Sequence, residues 1–243
     1  MLYEQGALLV VNKPGGVLTQ APPGIDSMEV RVKRFLKSRI DLAVNRDFPA
    51  SELSAGNPYV GVPHRLDRPV SGAMLFGADK QTTRKLALQF ENRSVTKKYW
   101  ALVEGQPDEQ LNAKKGSLTD YVRKLPNEPR SEIVLSDHPD AQFALLNYRV
   151  LQQVGEFTWL EIELETGRTH QIRLQFGSRG HPVIGDAMYG SRTIFGEPEP
   201  DERKRCIALH ARHLRFEHPA SKQQISIDAP LPPIWESFSQ RVS

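Results

Sequence analysis

The sequence is poor in cysteine, with one thiol, Cys206, among 243 residues. A single thiol cannot close an internal disulfide or build a multi-thiolate zinc site. Long apolar runs are also missing, and none approaches the roughly 18–20 residues that a membrane span needs. The apolar stretch Ala7–Val11 follows no basic region and is shorter than a signal-peptide core. These absences predict a soluble, cytoplasmic protein. Charge of one sign is scarce as well: 32 Lys and Arg face 29 Asp and Glu, leaving +3. With a sequence pI near 9.0, that balance is compatible with a nucleic-acid partner without demonstrating one. Phosphate-loop, dinucleotide and nucleophile-elbow signatures are absent. The composition itself, 39% hydrophobic and 25% charged, is that of a folded domain and excludes a disordered or collagen-like chain.

Charge is distributed unevenly. Residues 51–100 carry eight basic and four acidic side chains, a local +4, whereas 101–150 (six against eight) and 151–200 (four against seven) are net acidic. The pattern predicts strands at Ala7–Val11, Gly72–Ala78, Tyr99–Val103, Phe143–Leu151, Phe157–Leu164 and Ile207–Phe216, the last with a bulge between Ala211 and Leu214. Helical spacing marks Ser27–Arg39, with Ser27 as N-cap, and Lys80–Arg93. Asp41–Tyr59 reads as a loop, and Leu231–Phe238 closes the chain with turns and a short helix. Strands follow one another without intervening helices, so the expected class is α+β, with a mixed, mostly antiparallel sheet. No linker divides residues 1–243, and a single domain is expected.

Two segments could carry chemistry. In His64-Arg65-Leu66-Asp67-Arg68-Pro69-Val70-Ser71-Gly72, an aspartate lies between two arginines where a loop meets a buried strand. That setting favours an ionised carboxylate, as a nucleophile or base requires. In Glu165-Thr166-Gly167-Arg168-Thr169-His170-Gln171-Ile172-Arg173, a strand runs into a turn and a helix start, from which Arg168 could reach a carboxylate. Solvated surface ion pairs would explain either segment equally simply. His210 and His213 have a metal-like spacing, but on a regular strand residues three apart face opposite sides, so no metal is expected.

Taken together, these segments resemble the RluA-type RNA pseudouridine synthases. His64-Arg65-Leu66-Asp67 … Ser71-Gly72 is similar to that family's active-site motif, Lys98-Tyr99 to its tyrosine motif, and Gly167–Arg173 to its later arginine motif. Leu8–Pro14 resembles the opening strand, Gly180–Asp186 … Tyr189-Gly190 the turn after the arginine motif, and Leu209-His210-Ala211 the closing strand. Gln175 departs from the pattern, standing where many relatives have histidine, and Val70 stands where many have threonine.

The resemblance implies a mostly antiparallel sheet with flanking helices and an RNA-binding cleft, and conversion of uridine to pseudouridine within ribosomal or transfer RNA. It implies Asp67 as the essential carboxylate, either attacking C1′ or removing a sugar proton. Arg168 would be its counter-ion, and Tyr99 would stack on the base and assist at C5. Arg65 would hold the gap left by a flipped nucleotide, with His64 and Leu174 also on the substrate side. Lys80, Arg84, Lys85, Arg93, Lys97 and Lys98 are candidates for phosphate contact. No metal or organic cofactor, no DNA and no membrane partner are expected, nor a separate N-terminal RNA-binding module, and the state expected is a monomer. The competing function is a non-catalytic RNA-binding protein on the same scaffold; a histidine-dependent metal hydrolase is a third.

Overall fold

The computed structural model describes residues 1–44, 58–106 and 114–239. Its ten described strands form one sheet: β1 (Tyr3–Gln5), β2 (Leu8–Lys13), β3 (Ser71–Gly77), β4 (Thr96–Glu104), β5 (Lys115–Lys124), β6 (Ser131–Val134), β7 (Gln142–Val154), β8 (Phe157–Leu164), β9 (Leu209–Glu217) and β10 (Gln224–Asp228). The order is β1-β2-β3-β9-β4-β8-β7-β5-β6, with β10 on β9. Among these strands β3 and β9 form the parallel contact, and the other pairs are antiparallel. The mostly antiparallel α+β sheet expected from the sequence is therefore present.

β2 and β3 are apolar on both faces because a helix covers each side. Leu9, Val11, Met74 and Phe76 pack with Met28 and Val32 of α1 (Met28–Val44), while Leu8, Val10, Ala73 and Leu75 pack with Leu86 of α2 (Lys80–Glu91). Ser27 caps α1 through its hydroxyl, which accepts from Val30 N at 3.3 Å, and Asp79 caps α2 through Thr82 N at 2.6 Å. α1 continues to Val44, into the stretch expected to be loop; residues 45–57 lie outside the described set. The sheet also gains β1, β5, β6 and β10, which lie outside the expected strands.

Two backbone features place the site. Gly72 has φ +122°, and a Cβ there would sit 2.4 Å from Ala211 O and 2.5 Å from Ala211 N. Only glycine lets β3 approach β9 so closely. On β9 the predicted bulge is present: Lys98 pairs with His213 and Tyr99 with Ala211, leaving Arg212 unpaired. The bulge also corrects the facing of the histidines. His210 opposes Trp100 and His213 opposes Lys98, so the two imidazoles share a face.

Candidate active site

Asp67 sits in the loop entering β3, and that loop is held by its backbone. Lys13, the last residue of β2 and fully buried, donates to Pro14 O at 3.0 Å, Arg68 O at 3.1 Å and Val70 O at 2.6 Å. Three carbonyls for three N–H groups is the complement of an ammonium. Thr19 Oγ1 donates to Leu66 O at 2.8 Å and accepts from Leu66 N at 3.2 Å. Burial pulls the Lys13 amine down to about 7, against the opposing attraction of Asp67.

The counter-ion is Arg173. Its Nη1 lies 3.2 Å from Asp67 Oδ2, while Nε and Nη2 engage Asp186 Oδ2 and Oδ1 at 2.6 and 2.9 Å. Asp186 therefore orients the guanidinium and leaves one edge for Asp67, a geometry an ammonium could not reproduce. Burial opposes the charge of Arg173, but Asp186 and Asp67 outweigh it and raise its pKa.

The expected pairing of Asp67 with Arg168 is not formed among the described residues. Arg168 points its Nε at Phe143 O, 2.9 Å away, and its backbone N–H at Gln171 Oε1. The cause is local. His170 adopts φ +56° and turns the chain into α3 (Gln171–Gly177), so Arg173 projects from the buried helix and Arg168 stays in the turn before it. The run Gln171–Phe176 is buried throughout, and a buried arginine needs an anionic partner; Ile172, Leu174 and Phe176 signal an apolar segment in the sequence without saying which carboxylate Arg173 meets.

α3 is seated by neutral amides. Gln171 Oε1 accepts from Thr166 Oγ1 at 2.8 Å, and Gln171 Nε2 donates to Gln175 Oε1 at 3.1 Å. Gln175 Nε2 then donates to Leu118 O and Asp120 Oδ2 on β5, at 3.2 and 2.7 Å. Arg179 adds two contacts to Asp120, each of 3.0 Å. Leu174 packs with Val122, Ala144 and Tyr189 in a small apolar cluster.

Tyr99 lies on β4 between Ile162 of β8 and Ala211 of β9. Burial, reinforced by the negative charge of Asp67, raises its hydroxyl pKa and keeps it protonated. His64 is already occupied: Nε2 accepts from Leu75 N at 2.8 Å, and the ring stacks on Phe90 at 4.3 Å. Burial and Lys97 push its pKa down to about 3, which agrees with Nε2 acting as an acceptor. Arg65 is exposed and makes no ion pair among the described residues. Of the phosphate candidates, Lys80, Arg84 and Arg93 are exposed. Lys85 donates to Pro219 O. Lys98 pairs with Glu161 and Glu163 on the side of β4 away from Tyr99. Lys97, on the same side as Tyr99, lies beside the Gly167 turn.

His210 and His213 share a face but are separately engaged. His210 Nδ1 meets Ser71 Oγ at 2.8 Å and Nε2 meets Ala229 O at 3.2 Å, while His213 Nδ1 meets Asp228 Oδ1 at 2.8 Å. Among the described residues no group of three His, Cys, Asp or Glu could hold a metal ion, and no helix is long and apolar enough to cross a membrane.

Comparison with known proteins identifies the family. The family model described as RNA pseudouridylate synthase matches residues 7–178. An uncharacterized RNA pseudouridine synthase of Synechocystis is 31% identical over 238 residues, covering 98% of this chain and 67% of the relative. The ribosomal large subunit pseudouridine synthase D of Vibrio cholerae is 30% identical over 238 residues, covering 96% and 67%. A Chloroflexus aurantiacus relative, 33% identical over 221 residues, is covered to 62% of its length. The chain thus spans about two thirds of the length of these relatives. Among solved structures, human RNA pseudouridylate synthase domain containing 4 superposes with TM-score 0.72 at 21% identity, over 100% of this chain and 92% of that one. Human domain containing 1 gives 0.63 at 26%, over 95% and 82%. Sequence and fold converge, and the chain belongs to the RluA-type RNA pseudouridine synthase family, a family of isomerases.

Proposed function

We propose that this protein isomerises uridine to pseudouridine in RNA with Asp67 as its catalytic carboxylate. The observation that carries the reading is the buried chain Asp186–Arg173–Asp67, which ends at a carboxylate that is 32% exposed. A structural ion pair has no need to leave one carboxylate open to solvent at the mouth of a loop pinned at Lys13 and Thr19. Either attack on C1′ or removal of a sugar proton requires an oriented anion, and Arg173 supplies the orientation. Tyr99, held protonated, acts by stacking and hydrogen bonding; it can accept a C5 proton only while passing its own onward.

Reaching the base requires extruding it, at a cost of a few kcal/mol. In this reading Arg65, two positions before Asp67, exposed and without a carboxylate partner among the described residues, fills the vacated space. The Vibrio cholerae relative is named for the large ribosomal subunit, which supports ribosomal RNA as the substrate class. His64 and Leu174 act by holding the site together, since each is engaged within the protein.

The test is tritium release from RNA labelled at uridine C5, extracted from cells lacking the protein. Asp67→Asn should eliminate release while circular dichroism and thermal unfolding stay close to wild type. Activity retained within about tenfold, a barrier change of only about 1.4 kcal/mol, would remove Asp67 from the catalytic role.

A further inference from the structure

Asp67 Oδ2 has a second neighbour. His170 Nε2 lies 3.6 Å from it, beside Arg173 Nη1 at 3.2 Å, whereas Oδ1 has no hydrogen-bond partner among the described residues. On the other side of the imidazole, Nδ1 is 3.0 Å from Tyr189 Oη. That hydroxyl accepts from Ser131 N at 2.9 Å. Its single proton can go to His170 Nδ1 at 3.0 Å or to Ser131 O at 3.5 Å, and the shorter contact is the better hydrogen bond. Nδ1 is then an acceptor, so a neutral imidazole carries its proton on Nε2, facing Asp67.

Burial disfavours the imidazolium and lowers the pKa of His170, against the pull of Asp67. The charged groups around the ring are Asp67, Arg173, Asp186 and Lys124. His170 also adopts φ +56°, a left-handed conformation that non-glycine residues rarely take, and its ring meets Tyr189 edge to face at 5.7 Å.

We propose that His170 is a positioning residue for Asp67: a relay from Ser131 N–H through Tyr189 O–H fixes its tautomer, and its Nε2–H closes on Oδ2 beside Arg173, leaving Oδ1 as the oxygen that reacts. The inference rests on the catalytic role proposed for Asp67. At 3.6 Å the contact is longer than a hydrogen bond, and it shortens when substrate fills the site, as catalytic contacts commonly do. The division of labour is definite: one oxygen is held by two donors, and the other is left to the substrate.

Tyr189→Phe keeps the ring beneath the Arg173 guanidinium, now 5.2 Å from it, and removes only the hydroxyl. It should lower kcat for tritium release from bulk C5-labelled RNA about tenfold, the scale of a lost orienting contact, with KM changed less than about twofold. His170→Gln, whose amide nitrogen can stand where Nε2 stood, should retain several times the kcat of His170→Ala. In protein labelled with ¹⁵N-histidine, the His170 resonance, assigned by its loss in His170→Gln, should report an unprotonated Nδ1 in wild type and a tautomer mixture in Tyr189→Phe. An Nδ1-protonated wild-type ring would overturn the relay whether or not Tyr189→Phe folds. Equal kcat for the Gln and Ala variants, or an unchanged kcat in Tyr189→Phe, would overturn the positioning role. Wild-type protein that releases no tritium would defeat the activity reading instead, and the tautomer spectrum would still decide the relay.

Discussion

The two halves of the site are held in place by different means. The Asp67 loop is tied by its own carbonyls to a buried cation, Lys13, and to the Thr19 hydroxyl. The α3 segment that carries Arg173 is tied by neutral side-chain amides, Gln171 and Gln175, reaching Thr166, Leu118 and Asp120. Backbone carbonyls cannot rotate away, so a loop gripped through them is fixed where it must present a carboxylate. The amides carry no charge and end on Asp120 rather than on Asp67 or Asp186, so they seat the helix without competing with the buried Arg173 guanidinium for its partners. Where the two halves meet, the tie is the ion pair Arg173–Asp67; behind the helix, neutral amides lead to Asp120, whose charge is met by Arg179.

That contrast can be broken at its meeting point first. Arg173→Lys should lower kcat by about 10²–10³-fold, the scale of a lost preorganised donor, while Arg168→Lys stays close to wild type. The same tritium-release assay on both variants decides it, and a larger loss in Arg168→Lys would return the counter-ion role to that residue.

The next effect is on the loop. Lys13→Met leaves Pro14, Arg68 and Val70 carbonyls without their donor and should destabilise the fold by about 2 kcal/mol, read by denaturant unfolding. Its pH dependence has a definite sign. The amine titrates near 7 when folded and near 10.5 when unfolded, so between those values the unfolded chain binds more protons. Wild-type stability relative to Lys13→Met should therefore increase from pH 7 toward pH 10. Catalysis should move the opposite way, because a neutral amine has two N–H groups for three carbonyls and the Asp67 loop loosens.

The smallest effect belongs to the amide ladder. Gln175→Leu keeps the volume but strands the Gln171 amide and the Leu118 carbonyl, and should cost about 1–2 kcal/mol of stability, with kcat lowered only a fewfold. A Gln175 variant that loses as much activity as Arg173→Lys would mean that the helix tether, rather than the ion pair, governs the site.

Much of this was legible in the residue pattern. Alternation in Phe157–Leu164 marked β8, whose Leu160 and Ile162 are fully buried, although Trp159 on the opposite parity is also covered, by Trp235. The phase slip after Ala211 marked the β9 bulge. β5, with the polar sequence Lys-Gly-Ser-Leu-Thr-Asp-Tyr-Val-Arg-Lys, was not legible, because its strand character comes from pairing with β6 and β7 rather than from apolar alternation. His64 stood out in its motif as a substrate contact, and only the packing against Phe90 and Leu75 shows it to be occupied.

The sequence by itself determined the sheet-rich class, the strand that Asp67 precedes, the glycine that must follow it and the family to which the chain belongs, since these depend on local period, turn chemistry and ordered motifs. The tertiary structure alone decided which of two nearby arginines faces Asp67, that Asp186 aims it, and that the histidine between them turns its Nε2 toward the carboxylate. Those outcomes depend on one left-handed residue at the start of a seven-residue helix and on groups 106 residues apart in the chain, and no local pattern encodes a contact made across that distance.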